Sequence, residues 1–387
     1  MKMLLPALAV LSSTAIAADL KFNVEGRFDY GMSTTKHEYA TSTNNYEDKR
    51  GEFYSNVLRL NSVFTINDQL SGRFRYRFST AQDAASKNRD LSFQNVDFFY
   101  VDHKNQYFTT RIGKHNQAES LGREYFMSGT DYPATMLNPT STTVGYTGLN
   151  TAVYKLIAND ADTYRVGVSA IYTGLQGHTF TLSAFNPQKS TTYSDTNGVG
   201  DDSKNTKTGI GAYYNGSFAE GLIQPTLGYT QFGIAGKTDG STSPDATQKL
   251  MAAGVRSVVA GFTIDADWKQ YKRQNTAASV TGATNTADKT NSIWANVAYT
   301  WDNLTPFVNY IHDKFDATGT NFDSYKRDAL SAGLMIKPFK ENNFRYHVTY
   351  TNDVKKTTLG TTTATAAANQ ENKIKSNLWV AGIKFDL

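Results

Sequence analysis

From Leu20 to Met32 the chain alternates apolar and polar residues. Leu20, Phe22, Val24, Phe28, Tyr30 and Met32 fall on one face, and Lys21, Asn23, Glu25, Arg27 and Asp29 on the other. Successive side chains of a strand point to opposite faces, so the pattern predicts a β-strand with one apolar and one charged face. The stretch "SGRFRYRFST" (71–80) repeats it, setting Arg73, Arg75 and Arg77 against Phe74, Tyr76 and Phe78. In "SNLWVAGIKFDL", Trp379, Ala381, Ile383, Phe385 and Leu387 share one face. Chain ends usually fray into water, so rings at this end call for an apolar surrounding.

Segments of this kind are expected near 19–33, 53–66, 70–80, 91–102, 107–116, 163–173, 178–186, 208–218, 222–235, 248–258, 262–274, 291–301, 305–315, 326–338, 344–355 and 374–387. Several approach the ~10 residues that a tilted membrane strand requires. The connections alternate in length. Short turns fall at Asn67-Asp68-Gln69, His103-Lys104-Asn105, Glu220-Gly221, Ala260-Gly261, Asp302-Asn303 and Lys340-Glu341-Asn342. Long polar loops are expected near 34–52, 81–90, 187–207, 237–246, 276–290, 317–324 and 357–372. This asymmetry is that of an up-and-down transmembrane β-barrel, with short periplasmic turns and long outer loops. The fold expected is all-β, an antiparallel barrel of about sixteen strands, with a count of eighteen left open. Residues 117–162 form the long third connection. They hold too many rings and apolar residues for a disordered tail, so the loop is expected to fold into the lumen.

Composition narrows the class. Mean hydropathy is −0.48, and no run approaches the ~20 apolar residues of a membrane helix. The start, "MKMLLPALAVLSSTAIA", has a positive end, a short apolar run and the site Ala15-Ile16-Ala17, which predicts an export signal (1–17) and a barrel domain over 18–387. No cysteine is present, which excludes a disulfide framework and thiolate metal sites. The net charge of +4 is too small to indicate a nucleic-acid partner. The 23 tyrosines and 22 phenylalanines suit the aromatic girdles of outer-membrane barrels. The histidines His37, His103, His115, His178, His312 and His347 are scattered, with no motif pairing one to a serine or acid. No enzyme, cofactor or metal site is predicted. The aspartates of "FTIDADWKQYKRQ", Asp265 and Asp267, read with Lys269 as a solvated far wall.

The chain resembles the general porins of Gram-negative outer membranes. The likeness rests on the signal, the first strand, "TTRIGKHNQ" (109–117) before the long third loop, "NTAVY" (150–154) after it, and the aromatic last strand. It departs from them in ending on Leu387, where the family typically ends on phenylalanine, and in carrying "AESLGREYF" where a P-E-F-G-G-like element is common. "NTAVY" would start strand six near Thr151 by this likeness.

On the barrel reading, Arg27, Arg59, Arg73, Arg75, Arg77 and Arg111 lie on neighbouring strands and form one basic lumen patch. The third loop offers Glu119, Glu124 and Asp131. The resemblance implies an eyelet in which wall arginines face these carboxylates, and a homotrimer that passes small hydrophilic solutes and ions across the outer membrane with weak selectivity. It also implies outer-membrane lipid as a partner, and assembly machinery that reads the last strand. Three rival readings are a solute-specific channel for phosphate-like anions or sugars, a non-conducting adhesin, phage receptor or scaffold, and a soluble secreted β protein.

Overall fold

The computed structural model describes residues 19–39, 45–78, 96–116, 122–126, 136–137, 144–145, 151, 153, 164–186, 188–189, 208–235, 245–276, 286–317, 324–339, 343–358 and 371–387. The expected leader, Glu119 and Asp131 lie outside them. Sixteen antiparallel strands form the wall. The first five are β1 (Asp19–Glu38), β2 (Tyr46–Thr65), β3 (Leu70–Arg77), β4 (Val96–Lys104) and β5 (Phe108–Asn116). After the long connection come β6 (Tyr164–Tyr172), β7 (His178–Phe185), β8 (Gly209–Gly216) and β9 (Ile223–Ala235). Then follow β10 (Asp245–Val259), β11 (Phe262–Thr276), β12 (Thr286–Tyr299) and β13 (Leu304–Ala317). The last three are β14 (Ser324–Ile336), β15 (Arg345–Thr358) and β16 (Glu371–Asp386). Gln188–Lys189 adds a short parallel pairing beside β9.

Each strand pairs with its sequence neighbours, and β16 pairs with β1 to close the cylinder. Closure removes the free sheet edges that would leave backbone groups unpaired in lipid. The last residue takes part: Leu387 and Val24 exchange both backbone hydrogen bonds, at 2.7 and 3.0 Å.

Two kinds of device set the register. At the tight turn between β10 and β11, Ala260 (φ 47°) and Gly261 (φ 83°) supply the left-handed pair that a two-residue hairpin needs. Asn67 and Asn105 make the slightly longer turns. The Asn67 Oδ1 accepts from the backbone N–H of Gln69 and Leu70, and the Asn105 Oδ1 from those of Tyr107 and Phe108.

The faces are inverted relative to a water-soluble fold. Outward residues include Leu182, Ile112 and Trp379, exposed by 65%, 61% and 50%, whereas inward-facing Lys269, Asp313 and Arg327 are fully buried. Contiguous apolar surface on this scale marks contact with lipid. At the turn end, ring pairs such as Phe108–Tyr172 and Phe262–Tyr299, with centroids 5.0 and 4.6 Å apart, form an aromatic girdle.

Some strands run further than their alternation suggested. β1 continues to Glu38 and β2 begins at Tyr46, so most of the expected 34–52 loop is ladder. These extensions are polar on both faces, so no apolar stripe announces them. Strand six begins at Tyr164, with Thr151 outside any strand.

Candidate functional site

The lumen wall of β1–β5 collects the arginines. Arg73, Arg75 and Arg77 stand inward on β3, opposite Val63, Asn61 and Arg59 of β2. Like charges directly across a ladder repel, so Arg59 and Arg77 require anions nearby. Asp97 supplies one: its Oδ1 accepts from the Arg77 Nη2 at 2.8 Å, and its Oδ2 lies 3.6 Å from the Arg59 Nε. Glu25 of β1 approaches Arg59 at 3.6 Å and Lys384 at 3.7 Å. Strict alternation would turn Asp97 outward, beside inward Phe98. The β4 register instead skips Asp97, pairing Phe98 with Arg75 and Val96 with Tyr76, and this irregularity brings the carboxylate inside.

Arg73 and Arg75 meet Asn61 and an aromatic ring. Their guanidinium carbons lie 4.8 and 4.5 Å from the Phe98 centroid. The Arg75 Nε donates to the Asn61 Oδ1 at 2.6 Å, and the Arg73 Nη2 to the same atom at 3.4 Å. Arg111 stacks 4.0 Å above Tyr100 and donates two bonds to Asp102, at 2.8 and 2.9 Å. Arg27 pairs with Asp29 at 2.8 Å, and Asp29 also holds the His347 Nε2 at 2.7 Å. All six predicted arginines thus share one wall, interleaved with Glu25, Asp29, Asp97 and Asp102. Alternation could have revealed Asp102, which faces Arg111 across the ladder. The partnership of His347 with Asp29 spans 318 residues and exists only through barrel closure.

The other half of the site lies eight strands away, diametrically opposite β3 in a sixteen-strand ring. There a single helical turn, α1 (Arg123–Phe126), rests against β11. Asp267 caps it, accepting from the backbone N–H of Arg123 at 2.7 Å and of Glu124 at 2.5 Å. Gly122 precedes the turn at φ +75°, where an added Cβ would stand 2.8 Å from the Asp267 carboxylate. Glu124 pairs with Lys269 and accepts from the Thr151 N–H (2.7 Å) and hydroxyl (2.9 Å). One carboxylate therefore ties two distant parts of the third connection to each other and to the wall. Glu124 is held by Lys269 and Thr151, across the barrel from the β3 arginines.

The network continues along the wall. The Val153 N–H donates to the Ser292 Oγ at 3.2 Å, which donates to the Asp313 Oδ1 at 2.5 Å. Arg327 then joins Asp313 at 3.1 Å to Asp353 at 2.8 Å. Asp265 and Asp267, expected on a solvated wall, are instead buried. Arg256 pairs with Asp265 at 2.7 Å, and Lys269 lies 3.3 Å from Asp267. Above the apolar band His37 stacks 4.2 Å from Tyr46, and burial holds its imidazole below the ordinary value. Among the described residues no group of three or more histidines and acids could hold a metal ion.

A closed barrel with an apolar exterior, a charged interior and a connection tied inside the lumen is an outer-membrane channel. The sequence profile of the Gram-negative porins matches residues 5–329, and the chain belongs to that family. No curated protein matches it by sequence. Solved structures similar to it include OmpT of Vibrio cholerae, at 14% identity and a TM-score of 0.59, covering 97% of this chain and 99% of that one. The outer membrane channel DcaP of Acinetobacter baumannii is similar at 12% identity and a TM-score of 0.57, with 95% and 98% covered. The protein is a general outer-membrane channel and resides in the outer membrane.

Proposed function

We propose that the protein is a passive diffusion channel for small hydrophilic solutes and ions, weakly selective and without catalytic activity. The observation that carries this reading is the division of the lumen into two charged walls, with the third connection tied to one of them. A transverse field between such walls orients water and dipolar solutes, and makes apolar solutes displace ordered water. In this reading Arg73, Arg75 and Arg77 form a ladder with one or two rungs at the narrowest point, and Arg27, Arg59 and Arg111 extend the basic wall. Glu119 and Asp131 are the proposed loop carboxylates facing it, while Glu124 anchors the loop. A V. cholerae OmpT structure is described in a trimer form, and a homotrimer is proposed here too. Recognition of the last strand by the assembly machinery is also part of the reading.

A second reading, an anion-specific channel, is favoured by the gathering of Arg59, Arg73, Arg75 and Arg77 on two neighbouring strands, with Arg59 and Arg77 directly opposite each other. Reversal potentials in planar bilayers under a salt gradient separate the two. General diffusion predicts a small, non-saturating preference that moves toward cations in the Arg73→Ala/Arg75→Ala double variant. Strong anion preference that saturates with phosphate would replace it by the specific reading, and an unchanged reversal potential in the variant would remove the ladder from the constriction.

A further inference from the structure

Two lumen asparagines connect the last strand to the β3 arginines. Asn23 of β1 and Asn61 of β2 stand directly opposite each other across the ladder, and Asn61 stands opposite Arg75 of β3. On the other side of Asn23 comes Asp386 of β16, whose own ladder partner is Glu25. Three hydrogen bonds run along this row. The Asn23 Nδ2 donates to the Asp386 Oδ1, the Asn61 Nδ2 donates to the Asn23 Oδ1 at 3.2 Å, and the Arg75 Nε donates to the Asn61 Oδ1 at 2.6 Å. The Arg73 Nη2 ends on the same oxygen at 3.4 Å.

The two ends of the row are chemically unlike. A guanidinium only donates and a carboxylate only accepts, whereas an amide does both. With Arg75 at one end, Asn61 must turn its carbonyl toward β3, which leaves its NH2 for Asn23. Asn23 must then offer its own carbonyl to Asn61 and its NH2 to β16, where Asp386 accepts it. A flip of either amide would set two donors or two acceptors against each other. Asn61 is only 7% exposed, so water is a poor substitute for a lost partner. Bonds in such a row also polarise one another, which strengthens the acceptor that Arg75 meets.

A carboxylate can also act through its field alone, but the distance here is long. Asp386 and Arg75 are three inter-strand steps apart, about 14 Å at ~4.8 Å per step. The Debye length at physiological salt is about 8 Å, so the field through lumen water is largely screened. What reaches Arg75 is the orientation of the two amides.

We propose that Asp386 is a positioning residue: through Asn23 and Asn61 it holds Arg75, and with it Arg73, against the wall beside Phe98. The consequence for selectivity rests on the reading of these arginines as rungs at the constriction. Freed from Asn61, their guanidinium groups reach further into the path and raise its preference for anions.

The test uses the whole protein and two readouts. One is hydrogen exchange at the Arg75 Nε–H, followed by NMR in detergent, and the other is the reversal potential under a salt gradient in planar bilayers. Asn23→Leu removes the middle link without changing charge. It should speed the exchange by about tenfold or more, the loss expected for one hydrogen bond to a charged group. It should also move the permeability ratio toward anions by about twofold or more, the lower end of coupling within one network. Asp386→Leu should do the same, whereas Asp386→Asn, which loses the charge and keeps an acceptor, should shift both far less. In the Arg73→Ala/Arg75→Ala background, Asn23→Leu should leave the ratio unmoved. If Asp386→Leu does not fold, Asn23→Leu and Asp386→Asn decide. Wild-type exchange in Asn23→Leu would overturn the proposal. So would equal shifts in Asp386→Asn and Asp386→Leu, which would make charge alone the agent. An Arg73→Ala/Arg75→Ala variant with the wild-type reversal potential would instead overturn the constriction reading, and the exchange rates would still decide the positioning.

Discussion

Arg327→Met is expected to destabilise the barrel by about 3–5 kcal/mol, the cost typical of breaking a buried ion pair on one side. Arg327 is fully buried, and its guanidinium is the link between the Asp313 and Asp353 carboxylates. These three residues lie on the adjacent strands β13, β14 and β15. All three are fully buried on the wall, so removing the cation leaves two carboxylates confined together away from water. The loss should appear as a lower urea midpoint for unfolding in detergent. Replacing all three by apolar residues should recover much of it, because the desolvation cost of the charges goes with them. A single variant as stable as the wild type would show that the cluster is hydrated enough to tolerate the loss.

Lys269→Met should act differently, although Lys269 is equally buried. It neutralises Glu124, which sits in the third connection and not in the wall, so the unpaired carboxylate has an exit into lumen water. The barrel should lose no more than about 1–3 kcal/mol, the range for stranding a buried polar group. The connection should lose its hold on β11, and with it the hydrogen bonds from Thr151 to Glu124. The expected result is a less steady open-channel current with an altered conductance. A current indistinguishable from that of the wild type would show that the cap of α1 by Asp267, together with the bond from Val153 to Ser292, suffices to hold the loop.

The contrast between these sites shows what the alternation of residues could reveal. Faces were legible wherever one side meets lipid: the β3 arginines and the ring-bearing face of β16 follow directly from period two. Sixteen strands followed from the turn and loop lengths, since tight turns such as Ala260-Gly261 carry a chemical signature of their own. Three things were hidden. The upper ends of β1 and β2 are polar on both faces, so period two loses its contrast there. Asp97 escapes alternation because the ladder skips it. The Glu124–Lys269 and Asp29–His347 pairs join residues 145 and 318 positions apart, and only the closed barrel and the tethered connection bring them together. Asp265 and Asp267 read as solvated wall because nothing in their own strand indicates that α1 and Arg256 cover them.

The account rests on an open aqueous path through the lumen, and size-graded swelling of liposomes holding the purified protein tests this most directly. The predicted result is swelling with small neutral and charged hydrophilic solutes, at rates that fall with solute size and rise in proportion to concentration. Liposomes that do not swell in any of these solutes, with protein shown to be folded and inserted, would contradict it and leave a barrel that works through its outer surface.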